Sequence, residues 1–174
     1  MIRNAWQIRA DKAAARKTRR KDNARFIAKT QGKPLLPKRT AIRSKLDAIT
    51  SLIVRLRDKK VAGGYCLVCM AKKRLGMIQD RPPNPITLAY HVERRGKEAI
   101  RWSLDNIVGA CSACNQWERL TRYQNPALVV RVHTELIGES HLSELELAGK
   151  IGAKYSTAEL VLMLEQRKAL LERP

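Results

Sequence analysis

The stretch DNIVGACSACN, residues 105–115, contains a Cys-x-x-Cys pair with an asparagine on either side. A second pair, CLVC at 66–69, lies upstream, and the two pairs hold all the cysteines of the chain. Thiolates three positions apart turn toward one ion, and two such pairs complete the tetrahedral shell that Zn²⁺ prefers. The sequence therefore predicts one zinc ion, bound by Cys66, Cys69, Cys111 and Cys114.

A zinc ion saturated by four thiolates is closed to water, so the predicted site is structural and does not by itself indicate an enzyme. Buried free cysteines or opportunistic pairing are the alternatives, and a reducing compartment favours metal binding over disulfides. Apparent binding energies of structural zinc reach about 10–16 kcal/mol in small peptides. We therefore expect metal removal to unfold residues 65–118.

The chain of 174 residues is strongly basic, with a formal charge of +19 and a pI of about 10.4. Such a charge predicts an acidic partner, foremost nucleic acid, with an anionic membrane surface as the competing partner. No apolar run approaches the roughly 20 residues that a membrane span needs. The N-terminus also lacks the apolar core of a secretory signal, so we expect an intracellular protein.

Composition and periodicity divide the chain into four regions. Residues 1–40 form a basic arm, expected to be a solvated helix or a disordered tail that orders on a polyanion. Residues 41–64 form an amphipathic helix, residues 65–125 carry the cysteine pairs, and residues 126–174 are helical. The helix at 41–64 has apolar residues at spacings of three and four, which predict one apolar stripe. These residues are Ile42, Leu46, Ile49, Leu52, Ile53 and Leu56.

The central region alternates strand and loop patterns before it turns helical. TLAYHVE (87–93) and IRWSL (100–104) are typical of strands, RPPNP (81–85) of a loop, and a helix begins near Cys111. Pro126 suits a first helical turn, and a capping box at Ser156 begins the last helix. The predicted class is α+β: a small zinc-stapled strand–strand–helix unit surrounded by helices, with a basic N-terminal arm.

Three polar residues near the cysteines have side chains suited to chemistry. His91 lies in the first predicted strand, and a neutral imidazole is the usual general base near pH 7. Asn106 can hydrogen-bond the backbone of that strand and aim the imidazole. Asn115 follows Cys114 directly and offers a carbonyl oxygen to a hard cation such as Mg²⁺. Structural roles, as a hydrogen-bonded strand histidine and as cap residues, remain the alternative.

The order Cys-x-x-Cys, strand histidine, Asp-Asn and Cys-x-x-Cys-Asn resembles the His-Asn-His (ββα-metal) nucleases stapled by a treble-clef zinc finger. More narrowly, the chain resembles the NinG/Rap family of lambdoid phage recombination nucleases from about Lys45 to Leu171. The segments that carry this resemblance are GYCLVC, YHVERRG, IRWSLDNIVGACSACN and KYSTAEL, together with the basic amphipathic helix. The resemblance leaves out the arm at 1–40.

The resemblance implies an endonuclease that needs Mg²⁺ or Mn²⁺ and cuts branched DNA such as Holliday junctions and D-loops. It implies that His91 activates water, that Asn106 orients His91, and that Asn115 is a metal ligand. Family members often carry ligands where this chain has Tyr90 and Val108. Asp105 or Glu93 are the nearby acidic alternatives, but their spacing does not assign them. If the gene belongs to a phage, the host cytoplasm is the expected compartment.

Four basic residues around His91 are predicted to contact DNA phosphates, which positions a backbone without reading its sequence. They are Arg94, Arg95, Lys97 and Arg101. Trp102 and Trp117 are expected to pack the core, and His133 and His141 to be structural or solvated. A catalytically inactive zinc-finger protein that binds nucleic acid is the alternative function, and a homodimer is left open.

Overall fold

The computed structural model describes Thr18, Lys21, Asp22 and residues 37–79 and 81–172. The chain divides into two units, Met1–Pro37 and Lys38–Pro174, and the description below concerns the second. Most of the predicted basic arm at 1–40 therefore lies outside the described residues.

The second unit is mostly helical and contains one two-stranded antiparallel sheet, which confirms the α+β class in its coarse form. In chain order its elements are α1 (Arg39–Val61), α2 (Leu67–Arg74), β1 (Leu88–His91), a 3-10 turn (Glu98–Ile100), β2 (Ile107–Ala110), α3 (Ser112–Gln124), α4 (Pro126–Ile137), α5 (Glu139–Ile151) and α6 (Thr157–Glu172). Within these described residues, no helix is both long enough and apolar enough to cross a membrane.

The two strands pair antiparallel, with Tyr90 opposite Val108 and His91 opposite Ile107. Because neighbouring side chains of a strand point to opposite faces, the sheet has two distinct sides. Even-numbered residues such as Tyr90 and Val108 join a buried cluster with the four cysteines, called here the cysteine cluster. Odd-numbered residues face α1, where the backbone of Gly109 meets Asp58.

The predicted strand at 100–104 is wrong, and the second strand lies at Ile107–Ala110 instead. The segment IRWSL forms a turn that follows the 3-10 residues Glu98–Ile100. Its alternating pattern arises because Ile100 and Trp102 are both buried, at 3% and 2% exposed. They are buried within a turn and not within a β-sheet. The first strand is also shorter than predicted, because the backbone bends after His91.

Helix α1 is amphipathic as predicted, but its buried side differs from the expected stripe. The residues buried along it recur every four positions: Ile42, Leu46, Thr50, Val54 and Asp58. Leu52 and Leu56 belong to the predicted apolar stripe but are 39% and 52% exposed. A spacing of four exceeds one helical turn, so this row winds around α1 from α6 at one end to β2 at the other.

The start of α1 packs on α6 in a second buried cluster, called here the α1–α6 cluster. It consists of Ile42, Leu46, Trp102, Leu160 and Leu164. The capping box that begins α6 is confirmed, because Ser156 and Glu159 exchange backbone and side-chain hydrogen bonds. Helices α3 and α4 also begin where the sequence predicted, whereas α2 and α5 were not predicted as separate helices.

Candidate metal centre and basic cleft

The four cysteines converge on one point beneath the sheet. Cys66 caps α2 and Cys111 caps α3, so Cys69 and Cys114 fall in the first turns of these two helices. All four sulfur atoms lie within 4.8 Å of one another, and all four residues are buried. The predicted cluster of metal ligands is therefore brought together as the spacing indicated.

The distances and donors around these sulfurs fit a zinc ion. Zn–S bonds of about 2.3 Å in a tetrahedron place sulfurs roughly 3.8 Å apart. The sulfur of Cys69 lies 3.8 Å from that of Cys111 and 3.4 Å from that of Cys114. Backbone N–H groups donate to Cys66 and Cys111 at 3.3 and 3.4 Å, and the Asn84 amide donates to Cys111 at 3.6 Å. These donors favour thiolates, so the four cysteines could hold a structural metal such as zinc.

Four thiols this close cannot all ionise without a cation. A hydrogen bond with Cys114 lowers the pKa of Cys66 to about 5, and the same hydrogen bond raises the pKa of Cys114. Burial raises the pKa of Cys69 to about 11. One thiolate is thus stabilised by neighbours that keep their protons. A bound divalent cation removes this conflict, since it stabilises all four thiolates at once.

Lys72 supplies positive charge beside the cysteine cluster. Its side chain is buried, and its ammonium nitrogen lies 3.4 Å from the ring centroid of Trp117. Burial lowers the pKa of Lys72, and the negative charges of the cysteines oppose that shift. A cation here offsets the net negative charge of a zinc tetrathiolate. Sequence reasoning missed Lys72, although its spacing of three from Cys69 on a helix was a usable signal.

A cleft of about 870 Å³ opens beside the cysteine cluster, lined by β1, the loop after it and α3. His91 from β1 and Asn115 from the first turn of α3 both line it. Among the described residues, the Asn115 side chain makes no hydrogen bond or ion pair. Two of the three predicted site residues therefore share one solvent-accessible cavity.

The imidazole of His91 is held by a main-chain oxygen. Its Nε2 lies 3.1 Å from the carbonyl oxygen of Arg101. A carbonyl can only accept, so Nε2 carries the proton and Nδ1 keeps its lone pair. Burial lowers the pKa of His91 below its usual value, and the charge of Arg95 lowers it further. The ring is consequently neutral near pH 7.

Asn106 is fully buried and ties together the connection between the strands. Its Oδ1 accepts from the backbone N–H of Glu93 at 2.7 Å, and its Nδ2 donates to the carbonyls of Glu93 and Ile100. These bonds fix the backbone just beyond His91 and just before Arg101. The sequence predicts such a bond to the backbone of the His91 strand, residues 87–93. Glu93 is the last residue of that segment and lies two residues beyond the end of β1.

The four predicted DNA-binding residues differ in their exposure and in whether they are already bound to a carboxylate. Arg94 and Arg95 are exposed and line the cleft. Lys97 lies outside that lining and donates to the buried Glu93 carboxylate at 2.5 Å. Arg101 is only 16% exposed and is bound to Asp47.

Asp47 of α1 is a residue that the sequence analysis missed. Its carboxylate accepts from Arg101 at 2.9 and 2.7 Å, from the Trp102 indole at 2.9 Å, and from Arg95. Burial raises the pKa of Asp47, but hydrogen bonds from Arg101, Arg95 and Trp102 outweigh it and bring the pKa to about 2. Asp47 thus anchors the residue whose carbonyl holds His91.

Tyr90 and Val108, the two positions that differ from the resembled motif, lie opposite each other in the sheet and face the cysteine cluster. The Tyr90 hydroxyl lies 2.6 Å from Nε2 of the buried His133 on α4. Burial lowers the pKa of His133 to about 4. Tyr90 and His133 therefore form a structural link between β1 and α4. His141 remains half-exposed, as expected.

Two carboxylates that spacing left open are now located. Glu93 is buried in its bond with Lys97, and neither it nor the exposed Asp105 lines the cleft. Glu118 does line it, one turn after Asn115 on α3, and forms an ion pair with Arg122.

No protein-family model, no curated protein and no solved structure matches this chain.

Proposed function

We propose that this chain is a metal-dependent endonuclease of the NinG/Rap kind, which hydrolyses phosphodiester bonds in branched DNA. The observation that carries the proposal is the His91 imidazole, which is tied to a carbonyl and lines a basic cleft together with Asn115. The order β1, β2 and α3, with the cysteine cluster beneath, supports a treble-clef unit of the His-Asn-His type.

His91 is suited to the role of general base. Its Nε2 donates to Arg101, which leaves the Nδ1 lone pair to take a proton from the attacking water. Because its pKa is depressed, the ring is already deprotonated near pH 7. Asn106 holds both ends of the connection that carries the Arg101 carbonyl, which is the orienting role proposed for it.

Asn115 and Glu118 would hold the catalytic cation. Mg²⁺ in proteins is commonly bound by one or two side-chain oxygens, with water and substrate phosphates completing its shell. Both side chains line the cleft that His91 lines. The chemistry that such a cation supplies is stabilisation of the charge that develops on the phosphate and the leaving oxygen. Arg94 and Arg95 would position the phosphate backbone.

A nucleic-acid-binding protein without catalysis is the second candidate, and one observation favours it. Among the described residues that line the cleft, Glu118 is the single carboxylate, and it is paired with Arg122. A cation would have to compete with that arginine. Within the part of the chain that the structure describes, Arg94 and Arg119 form no ion pair, so phosphate binding through these two arginines needs no such exchange.

Cleavage of a labelled four-way junction, with a matched linear duplex, separates the two candidates. Wild type, His91→Ala and the control His141→Ala would be assayed with Mg²⁺, with Mn²⁺ and with EDTA, and binding would be measured alongside. The proposal expects metal-dependent nicking that is lost in His91→Ala, retained in His141→Ala, and accompanied by unchanged binding. Tight binding without cleavage in either metal would instead establish the binding protein.

A further inference from the structure

Two large apolar side chains of α3 stand in solvent at the edge of the basic cleft. Tyr123 is 81% exposed and Leu120 is 59% exposed, and both line the cavity that contains His91. Residues three apart lie on one face of a helix, so the two side chains form a single surface. A lone exposed tyrosine is ordinary on protein surfaces. This one is distinguished by its position and its charged surroundings.

The surroundings of Tyr123 are cationic. The guanidinium carbon of Arg94 lies 6.0 Å from the centre of the Tyr123 ring. Arg119 and Arg122 of the same helix also line the cleft. A largely exposed aromatic ring beside arginines suits a ligand that joins a flat, uncharged ring to a chain of anions. A nucleotide strand has this composition, since each phosphate is linked to a base.

We propose that Tyr123, with Leu120 beside it, is a stacking platform for an unpaired nucleobase. In a continuous duplex each base is covered on both faces by its neighbours, so the ring can stack only where a base is unpaired or terminal. The cleft should therefore prefer DNA with unpaired bases over continuous duplex. This inference deepens the proposed function and rests on it, because the platform lines the same cleft as His91.

The test measures binding of the full-length, zinc-loaded protein to three labelled oligonucleotides at one salt concentration. They are a single strand, the matched duplex, and the same single strand with abasic sites in place of bases. Tyr123→Leu removes the aromatic ring and Tyr123→Phe keeps it. Tyr65→Leu is the matched control, because Tyr65 is 50% exposed and lies outside the cleft lining.

Tyr123→Leu should weaken binding of the single strand by about tenfold, the effect of losing one stacked base. Duplex and abasic binding should change little, and both Tyr123→Phe and Tyr65→Leu should bind like wild type. An equal loss on all three oligonucleotides, or no loss on any of them, would overturn the platform.

The two proposals fail separately. His91→Ala should keep the preference for the single strand, because binding does not need the base. A protein that never cleaves DNA yet loses single-strand binding in Tyr123→Leu refutes the endonuclease and keeps the platform. A protein that cleaves normally but shows no dependence on Tyr123 refutes only the platform.

Discussion

The two faces of the β1–β2 sheet are built differently. The face with Tyr90 and Val108 is closed: it packs on the four cysteines, and the Tyr90 hydroxyl is bonded to His133. The face with His91 is open to two clefts, one shared with α3 and one with α1. Polar and charged contacts hold the second face, among them the bond from Asp58 to the backbone of Gly109.

This difference separates stability from chemistry within one small sheet. The closed face is made of buried sulfurs and apolar groups, and a metal bound by the four cysteines would add stability to this small cluster. On the open face, a neutral imidazole is held by a hydrogen bond to the Arg101 carbonyl and keeps its other nitrogen available. Changes to side chains packed on the closed face should therefore alter folding. Under the proposed function, changes to the cleft-lining side chains of the open face should alter binding and rate.

Metal removal should produce the largest effect, and it should act on the closed face. Apparent binding energies of structural zinc, about 10–16 kcal/mol in small peptides, exceed the whole stability of many domains. A chelator, or Cys69→Ala, should abolish the cooperative melting transition of the sheet and its neighbouring helices. Circular dichroism melts, paired with a measurement of bound zinc, check this.

Restoring zinc to the chelated sample is the control for damage by the chelator itself. Recovery of the transition with wild type, but not with Cys69→Ala, would tie the stability to the cysteine site. A chelated, zinc-free sample that kept its transition would mean that the sulfurs are only buried free thiols.

Asp58→Ala should cause the next largest loss. The carboxylate of Asp58 is 5% exposed, accepts from the Gly109 N–H at 2.5 Å, and is paired with Arg57 at 2.6 Å. Its removal leaves the buried Gly109 N–H without its acceptor. Arg57 keeps its bonds to the carbonyls of Leu104 and Ile107. The expected cost is about 2 to 3 kcal/mol. Urea unfolding measures this loss. Asp105→Ala is the control, because Asp105 is exposed and its replacement should leave the free energy of unfolding nearly unchanged. An equal loss in Asp105→Ala would show that the bond between Asp58 and Gly109 is not the cause.

The buried link on the closed face predicts a pH dependence. The pKa of His133 is about 4 when folded and near 6.5 when exposed, so unfolding takes up a proton between these values. Stability should fall as the pH falls from about 6.5 to about 4, by roughly 2 to 3 kcal/mol. His133→Gln keeps an acceptor for Tyr90 without titrating, so its stability should fall less over the same range.

Comparison of stability slopes against pH isolates this contribution. Zinc release in acid affects both proteins and cancels in the difference. His141→Gln provides the control, since His141 is half-exposed and should leave the slope unchanged. Parallel slopes for wild type and His133→Gln would show that His133 titrates normally in the folded protein.

Features set by local spacing were predictable from the sequence, and features set by long-range contacts were not. The cysteine site follows from two Cys-x-x-Cys pairs, and α6 follows from its capping box. The segment IRWSL alternates like a strand, yet Asn106 holds it as a turn through the Ile100 carbonyl. That bond depends on the folded connection, which no local pattern contains.

The residues of the candidate site also differ in whether the sequence could predict them. His91 was predicted as a strand histidine between the two cysteine pairs, and Asn115 from its place directly after Cys114. The two residues do share a cleft. Asp47 was missed because its partner Arg101 is 54 positions away. Tyr123 was missed because exposure cannot be inferred from residue type, whereas Lys72 had a helical spacing that could have been used.

On the open face, Asp47→Asn should slow the proposed cleavage by roughly tenfold, because the residue that holds the His91 ring loses its anchor. The charge of Asp47 raises the pKa of His91, so its removal should lower that pKa. The rate rises with pH as the base loses its proton, and its midpoint should therefore move to lower pH. A slower enzyme with an unmoved midpoint would reduce Asp47 to a purely structural role, and Asp105→Asn serves as the control.

The smallest effect should come from single arginines at the rim of the open face. If roughly six phosphates are neutralised, the logarithm of the DNA-binding constant should fall with a slope near −5 against the logarithm of salt concentration. Arg94 is exposed and lines the cleft, so Arg94→Ala should make the slope shallower by about 1. Arg74, exposed on α2 and paired with Glu135, provides the control and should leave the slope unchanged. If the DNA-binding constant of wild type does not depend on salt, the open face does not bind DNA through its phosphates. If Arg94→Ala and Arg74→Ala change the slope equally, only the net charge of the protein matters.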